Sequence, residues 1–320
     1  MMSKQRLRFI DIAKGIGIIC VIIGHTVEHG SFLFNVIFSF HMPLFFIVSG
    51  MLFKKADWST LIKKRFSSLI VPYLTTIVIF LPFFLVKRYI KYGTPEFDVF
   101  LLSSVWGAGF KMPPPLSCIE PIGAIWFLLA MFGAQVLFCF SPERRTLKCL
   151  YCCTLAITGW LIGRYFWLPI DLCVAMVSTI FLFLGSFIAK IEWEKIKFIY
   201  IALLIILWVI GWTKTLGIVS NTYPYYIFSV VTSSAGCVII LLLSFWFEKV
   251  GNMALDRYFA YMGRYSLVIL CFHFLELRII PWEILDVNII LACLLKVLFL
   301  SFIPLIICRI PLLAKLYKLK

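Results

Sequence analysis

The sequence predicts an all-α, polytopic membrane protein of about ten transmembrane helices, with both termini in the cytoplasm. Three observations carry that prediction. Of the 320 residues 62% are hydrophobic and only 14% charged, with a mean hydropathy of +1.02. Apolar runs long enough to cross a bilayer recur along the whole chain, and the lysines and arginines fall in alternate connections between them. A soluble domain of this length cannot bury so much apolar surface, whereas each bilayer crossing needs about 20 such residues.

The first run, RFIDIAKGIGIICVIIGHTVEHG, predicts a helix over 9–30. The opening MMSKQRLRFIDIAKG has no short apolar core followed by a small-residue cleavage site, so this helix is expected to stay in the membrane. FNVIFSFHMPLFFIVSGMLF predicts the second helix, over 34–53. Before the third, over 66–87, KKADWSTLIKKR sets Trp58, Leu61 and Ile62 at helical spacing among lysines, the pattern of a short interfacial amphipathic helix. The connection 88–122 holds a partial apolar stretch, 97–106, that reads as re-entrant or interfacial. It also holds Pro113 to Pro115, which forbid helix and favour an extended path. This connection is expected to form a lid over an outward-facing pocket. Further runs predict helices over 123–141, 148–163, 171–190, 198–213, 226–247, 264–280 and 289–308. No inverted repeat, low-complexity tract or second soluble domain interrupts the chain, so residues 1–320 are expected to form a single membrane domain.

The formal net charge is +15. Lys and Arg gather in 4–8, 54–65, 144–148, 190–197, 249–264 and 309–320. Only Lys87, Arg88, Lys91, Lys111, Arg164, Lys214 and Arg278 fall in the intervening connections, and Lys14 and Lys296 lie inside helices. This is the positive-inside pattern, and it sets both termini in the cytoplasm. The same dispersal argues against nucleic acid as a partner, which calls for one compact basic patch. All of the 11 cysteines except Cys118 lie in or at the edge of apolar segments, where they read as small packing residues. Cys149, Cys152 and Cys153 have no histidine or second cysteine pair nearby in sequence, so no metal is expected.

The first segment carries three ionisable residues, Asp11, Lys14 and His25. Such groups cost roughly 2.5–3.5 kcal/mol at mid-bilayer and therefore face a bundle interior or a wet cavity. From Lys14 to His25 a helix turns roughly 1100°, about 20° after whole turns, so the two share a face about 16 Å apart along the axis. Asp11 lies on the same stripe, at i, i+3 to the lysine as an ion pair would be. That geometry suits gripping two ends of one long ligand.

His25 and His29 approach the outer end of the first segment and His41 lies about two turns into the second from the same side, so the three are expected to meet there, and Pro43, two residues after His41, is expected to free a backbone carbonyl. His25 and His29 have the i, i+4 spacing of a metal pair, but HTVEH lacks the glutamate directly after the first histidine found in HExxH hydrolases. A histidine with a pKa near 6.5 can take a proton from a hydroxyl and return it, which suits acyl transfer to an alcohol. His29 and His273 also read as hydrogen-bonding residues between helices.

These residues resemble the integral-membrane acyltransferase-3 family, and within it the sugar O-acetyltransferases similar to fucose 4-O-acetylase. RFIDIAKGIGIICVIIGH resembles the family's opening helix, with a basic residue, here Lys14, ten intervening positions before the proposed catalytic histidine, here His25. FSFHMPLFFIVSGMLF resembles its second helix at His41, Pro43, Ser49 and Gly50. KKRFSSLIVPY is similar to the entry into its third, at Arg65, Pro72 and Tyr73. IGAIWFLLAMF at Trp126 and GRYSLVILCFHF at His273 resemble later helices. One departure is Ser68, where many members carry a second basic residue. The hydrolase-like domain fused to some members is not expected, so acceptor handling would fall to the membrane domain or to 88–122.

The resemblance implies transfer of an acetyl or other acyl group from acetyl-CoA to a hydroxyl of a carbohydrate acceptor, a cell-surface glycan or its lipid-linked precursor. It implies an enzyme of the bacterial inner membrane working within the lipid bilayer, with no metal. His25 and His41 are then the expected catalytic residues. Lys14, Lys63, Lys64, Arg65, Arg144 and Arg145 are expected to hold the coenzyme, with Asp11 and Tyr73 in support, while Glu120, Trp126 and Asp171 are candidates for binding the sugar. A proton-coupled transporter is the rival reading and predicts symmetric halves with broken helices at matching positions, of which the sequence shows none. A non-catalytic scaffold gives no reason for a lysine and a histidine on one face.

Overall fold

The computed structural model describes residues 8–112, 116–214, 216–251 and 254–319. It is 77% helical, with no strand among the described residues. In chain order the helices are α1 (Arg8–Gly24), α2 (Phe32–Phe38), α3 (His41–Met51), α4 (Trp58–Arg65), α5 (Val71–Tyr92), α6 (Phe97–Trp106), α7 (Trp126–Cys139) and α8 (Arg145–Tyr165). They continue with α9 (Leu172–Ile188), α10 (Phe198–Gly211), α11 (Tyr226–Val250), α12 (Leu255–Arg264), α13 (Ser266–Ile279), α14 (Ile289–Cys308) and α15 (Pro311–Leu316).

Each of the ten expected segments falls on a helix, and six spans among the described residues are long and apolar enough to cross a membrane. A seventh comes from α12 and α13 taken together, bent by 75°. Helices on expected spans that are shorter than a bilayer crossing normally needs include α1, with 17 residues, and α7, α10 and, taken without α12, α13, with 14 each. A 3₁₀ turn at Gly123–Ile125 precedes α7 and another at Trp212–Lys214 follows α10. Pro113 to Pro115, Lys4 and Arg6 lie outside the described residues.

α1 is the central element, packed against α3, α11, α12 and α13. Ile12, Ala13, Ile18 and Ile22 are almost wholly buried, and so is Asp11. The first turn of α1, whose amides have no partner within the helix, is held from outside: Phe9 N donates to Glu248 Oε2 at 2.8 Å, and Arg8 pairs with Asp256 at 2.7 Å. α12, which sequence reading leaves as a connection, lies so close that the backbones touch. A Cβ on Gly263 would run into the carbonyl of Asp11, and one on Gly15 into that of Phe259. Close approach through small residues is how helices associate where lipid removes most of the hydrophobic drive.

The second expected helix is broken into α2 and α3 at Ser39 and Phe40. Backbone at membrane depth must find partners, and here side chains supply them. Ser39 Oγ donates to Val36 O at 2.7 Å and accepts from Trp208 Nε1 at 2.8 Å, which ties the break to α10. Pro43 sits in the first turn of α3, where no amide partner is lost. Across 97–106 the chain forms α6. Beyond it Ile122 N donates to Ala108 O and Glu120 N to Ser103 Oγ, both at 2.9 Å, which holds 107–110 and 119–122 at the end of the bundle that carries His25. The outer faces of α5, α10 and α14 are apolar and exposed, with Val78, Phe198 and Ile290 each two-thirds exposed or more.

Candidate active site

His25 follows the last residue of α1, because the helix ends at Gly24 and the chain turns. Its ring stands 6.1 Å from that of Phe38 and 5.4 Å from that of His273, yet it is accessible because it lines a cavity of about 90 Å³. His41 and Trp126 line the same cavity, with Gly109, Gly123 and Gly217 from the covering loops. His29 is not brought to this point. Its ring packs against that of Phe34, centroids 4.3 Å apart and tilted by 44°, and it is exposed.

The α2–α3 break positions His41. Its Nδ1 lies 2.8 Å from Ile37 O, and since a carbonyl only accepts, that nitrogen carries the proton and donates. Nε2 is left as a lone-pair acceptor. The carbonyl that His41 uses thus comes from the frayed end of α2, whereas sequence reading looked to Pro43.

Below this cavity a second one, of about 260 Å³, runs toward the other end of α1, and the two share Val21, Met42 and Leu270 in their walls. Its lining is largely apolar (Ile18, Phe45, Val48, Phe127) and includes Lys14. The face of α1 that carries Lys14 and His25 therefore lines two adjoining cavities in turn, Lys14 and Ile18 the lower one, Val21 both, and His25 the upper. Lys14 Nζ pairs with Asp11 Oδ1 at 2.9 Å, as the spacing predicts. In the cavity that Lys14 lines, Gln135 Nε2 donates to Ser49 Oγ at 2.7 Å, and Gln135 Oε1 is buried without a hydrogen bond. Gln135 was not singled out in the sequence, where it is a lone polar residue in an apolar run.

The basic residues expected to hold the coenzyme divide into two groups. Arg65 is half-buried, its Nε has no hydrogen bond, and it stands one turn before Leu69, which lines the Lys14 cavity. The five residues after it form a π-helical turn, Phe66–Ile70, explained by Pro72, whose missing amide leaves the preceding carbonyls without their usual partner. Lys63, Lys64 and Arg144 are exposed, and Arg145 lies over the Phe187 ring at 4.1 Å. A separate cavity of about 480 Å³ beside the foot of α1 is lined by Arg8, Arg257, Arg264 and Asp11. Sequence reading assigned those arginines to topology alone.

The expected sugar-binding residues are dispersed. Trp126 is in the His25 cavity, while Glu120 lies in a neighbouring cleft and pairs with Arg88 at 3.3 Å. Asp171 is fully buried at the start of α9 and lines neither cavity described above. Tyr73 is also buried and donates to Ser104 O at 2.6 Å, which fastens α5 to α6.

Sequence reading missed a buried relay. His273 Nδ1 donates to Glu276 Oε2 at 2.8 Å, and Lys296 Nζ of α14 stands 3.6 Å from Glu276 Oε1. All three are nearly or wholly buried, and His273 Nε2 has no partner. The signal was the i, i+3 spacing of His273 and Glu276 inside an apolar segment. Lys296 pairs across helices and could not be matched from spacing.

Residues 7–310 match the family model described as an acyltransferase domain, that of the acyltransferase-3 family. No curated protein and no solved structure matches the chain. The matched stretch runs from the first turn of α1 to the end of α14, and so takes in the His25 cavity, the Lys14 cavity and the buried relay. On that match the chain belongs to the acyltransferase-3 family and is a membrane acyltransferase.

Proposed function

We propose that this protein transfers an acetyl group from acetyl-CoA to a hydroxyl of a carbohydrate, in the manner of the fucose 4-O-acetylase-like members of the family, across about ten membrane segments with both termini cytoplasmic. The observation that carries the reading is the pair of adjoining cavities along α1, one lined by Lys14 and the other by His25. They are mostly apolar, and the two residues stand about 16 Å apart by helical rise, a length that suits a pantetheine arm. Gln135 Oε1 and Ser49 offer polar partners to its amides, which would otherwise be desolvated without compensation. The nucleotide and its phosphates then lie at the Arg8 end. Lys14 is already engaged by Asp11, so the anionic grip is shared with Arg65 and the neighbouring cations Lys63, Lys64, Arg144 and Arg145.

At the other end the acceptor hydroxyl attacks the acetyl carbonyl carbon. His25 takes the hydroxyl proton as general base, the carbon–sulfur bond breaks, and the thiolate leaves and receives that proton from the imidazolium. His41, held with Nδ1–H on Ile37 O, has only an acceptor nitrogen to offer. That supports a hydrogen bond from a neighbouring hydroxyl of the acceptor, since the attacking hydroxyl gives its one proton to His25, rather than one to the developing oxyanion. Trp126 offers a face for a sugar ring. Transfer through an acetyl-histidine is the variant of the same chemistry. The location expected for such an enzyme is the bacterial inner membrane.

The test is acetyl-CoA binding by purified protein in detergent. Lys14→Ala combined with Asp11→Asn, which leaves no unpaired buried carboxylate, is expected to weaken binding about 10- to 100-fold, the value of one or two charge-assisted contacts. Wild type that binds no coenzyme A thioester, but carries proton-coupled flux in liposomes, would replace the acyltransferase mechanism at this site with the transporter reading.

A further inference from the structure

At the His25 end the sequence leaves few cations, and four of those named there converge. Lys87, Arg88 and Lys91 of α5 and Arg278 of α13 line one cleft of about 210 Å³ between α5, α6 and the 120–122 segment. The bias toward positive charge on the cytoplasmic side disfavours such a cluster on the opposite face, so topology does not explain it. Glu120 is the acid that lines the cleft, and Arg88 bridges Glu120 and Glu96. Lys91 lies over the Tyr92 ring at 4.8 Å, and Arg278 spends one of its five donors on Pro121 O at 2.6 Å. The cleft therefore keeps a net positive charge over a floor of Phe80, Phe84 and Phe274.

Its mouth is apolar and exposed. Phe83 is 47% exposed on the cleft's own wall, and Val86, Ile90 and Leu101 are about half exposed or more beside it. A cationic recess opening on a lipid-facing surface complements an amphiphile with an anionic head and a hydrocarbon tail. Its back wall is also the front wall of the active cavity: Pro121 and Ile122 face the cleft, while Gly123 and Ala124 face His25. Gly123 has a φ of +64°, and a Cβ there would press on Phe274, so the wall stays thin.

From this geometry we infer that the cleft holds the phosphate or diphosphate of a lipid-linked sugar, and that the sugar beyond the phosphate reaches past the 121–124 wall to His25. The inference rests on the acyl-transfer reading and narrows its acceptor to a membrane-resident, phosphate-bearing glycolipid. Lys87 and Lys91 meet the phosphate oxygens as point charges, Arg278 offers its remaining guanidinium donors, and the polyisoprenoid tail lies along the exposed face of α5.

The test is lipid retention by the full-length protein, measured by native mass spectrometry from detergent. The probes are a polyisoprenyl phosphate, phosphatidylglycerol and phosphatidylcholine. Wild type is expected to hold the polyisoprenyl phosphate at least about tenfold more tightly than either phospholipid. The exposed pair Lys87→Gln/Lys91→Gln should lose about tenfold of that affinity with an unchanged melting temperature, and Arg278→Gln should lose a similar amount. Equal retention of phosphatidylglycerol that falls in the same variants would make the cleft a general anionic-lipid site and overturn the acceptor assignment. Phosphate-lipid binding that ignores the variants would overturn the site itself. Because retention is read without acetyl-CoA, a failure of the acyl-transfer reading shows separately, as absent donor turnover.

Discussion

His25→Ala is expected to bind acetyl-CoA as wild type does and to transfer no measurable acetyl group, a loss of at least 10²–10⁴-fold, the usual contribution of a positioned acid–base group. The division between binding and turnover follows from position. His25 lines the upper cavity and Lys14 the lower one, so on the proposed mechanism its imidazole would meet only the thioester and the acceptor, and the affinity for the coenzyme would come from the cations at the Lys14 end. Binding by calorimetry beside transfer of labelled acetate checks it. A variant that loses donor affinity in parallel with turnover would place the thioester elsewhere.

Glu276→Gln is expected to lower turnover about 10²-fold with donor affinity unchanged. His273 is held through Nδ1 on Glu276, its Nε2 is buried without a hydrogen-bond partner, and its ring stands 5.4 Å from that of His25. Glutamine preserves a hydrogen-bond acceptor, so the ring is not released, but it leaves Lys296 facing no charge. An unpaired buried charge costs about 3–5 kcal/mol, so part of the single variant's defect is a lower melting temperature. Adding Lys296→Met removes that unpaired charge. The double variant should recover the melting temperature without recovering turnover, and recovery of both would reduce the relay to a structural role.

Much of the site was legible because it lies on one helix. Asp11, Lys14 and His25 are related by a helical repeat that needs no knowledge of other elements; the structure pairs Asp11 with Lys14 and sets Lys14 and His25 in adjoining cavities. His41 was legible as a polar residue in an apolar run, but its orientation was not. That depends on the break at Ser39–Phe40, which is held open by Trp208 from a helix far along the chain. α12 was missed for a similar reason: its apolar face is short, and it is stabilised by backbone contact with α1 through Gly15 and Gly263 rather than by a long apolar run. The expected sugar residues Glu120 and Asp171 were chosen for lying near helix ends, and that criterion cannot tell one side of the 121–124 wall from the other, or a lining carboxylate from a buried one.

The central claim is that the acyl donor lies along α1, with its phosphates near Lys14 and its thioester at His25. The most direct measurement is photo-crosslinking with a coenzyme A thioester whose short acyl group carries a diazirine, followed by peptide mapping and competition with acetyl-CoA. The account predicts labels on Val21, Met42, Trp126 and Leu270, the residues around His25 and at the junction of the two cavities, with acetyl-CoA abolishing them. Competed labels found instead on the lipid-facing sides of α5, α10 or α14, or only around Arg257 and Arg264, would contradict it.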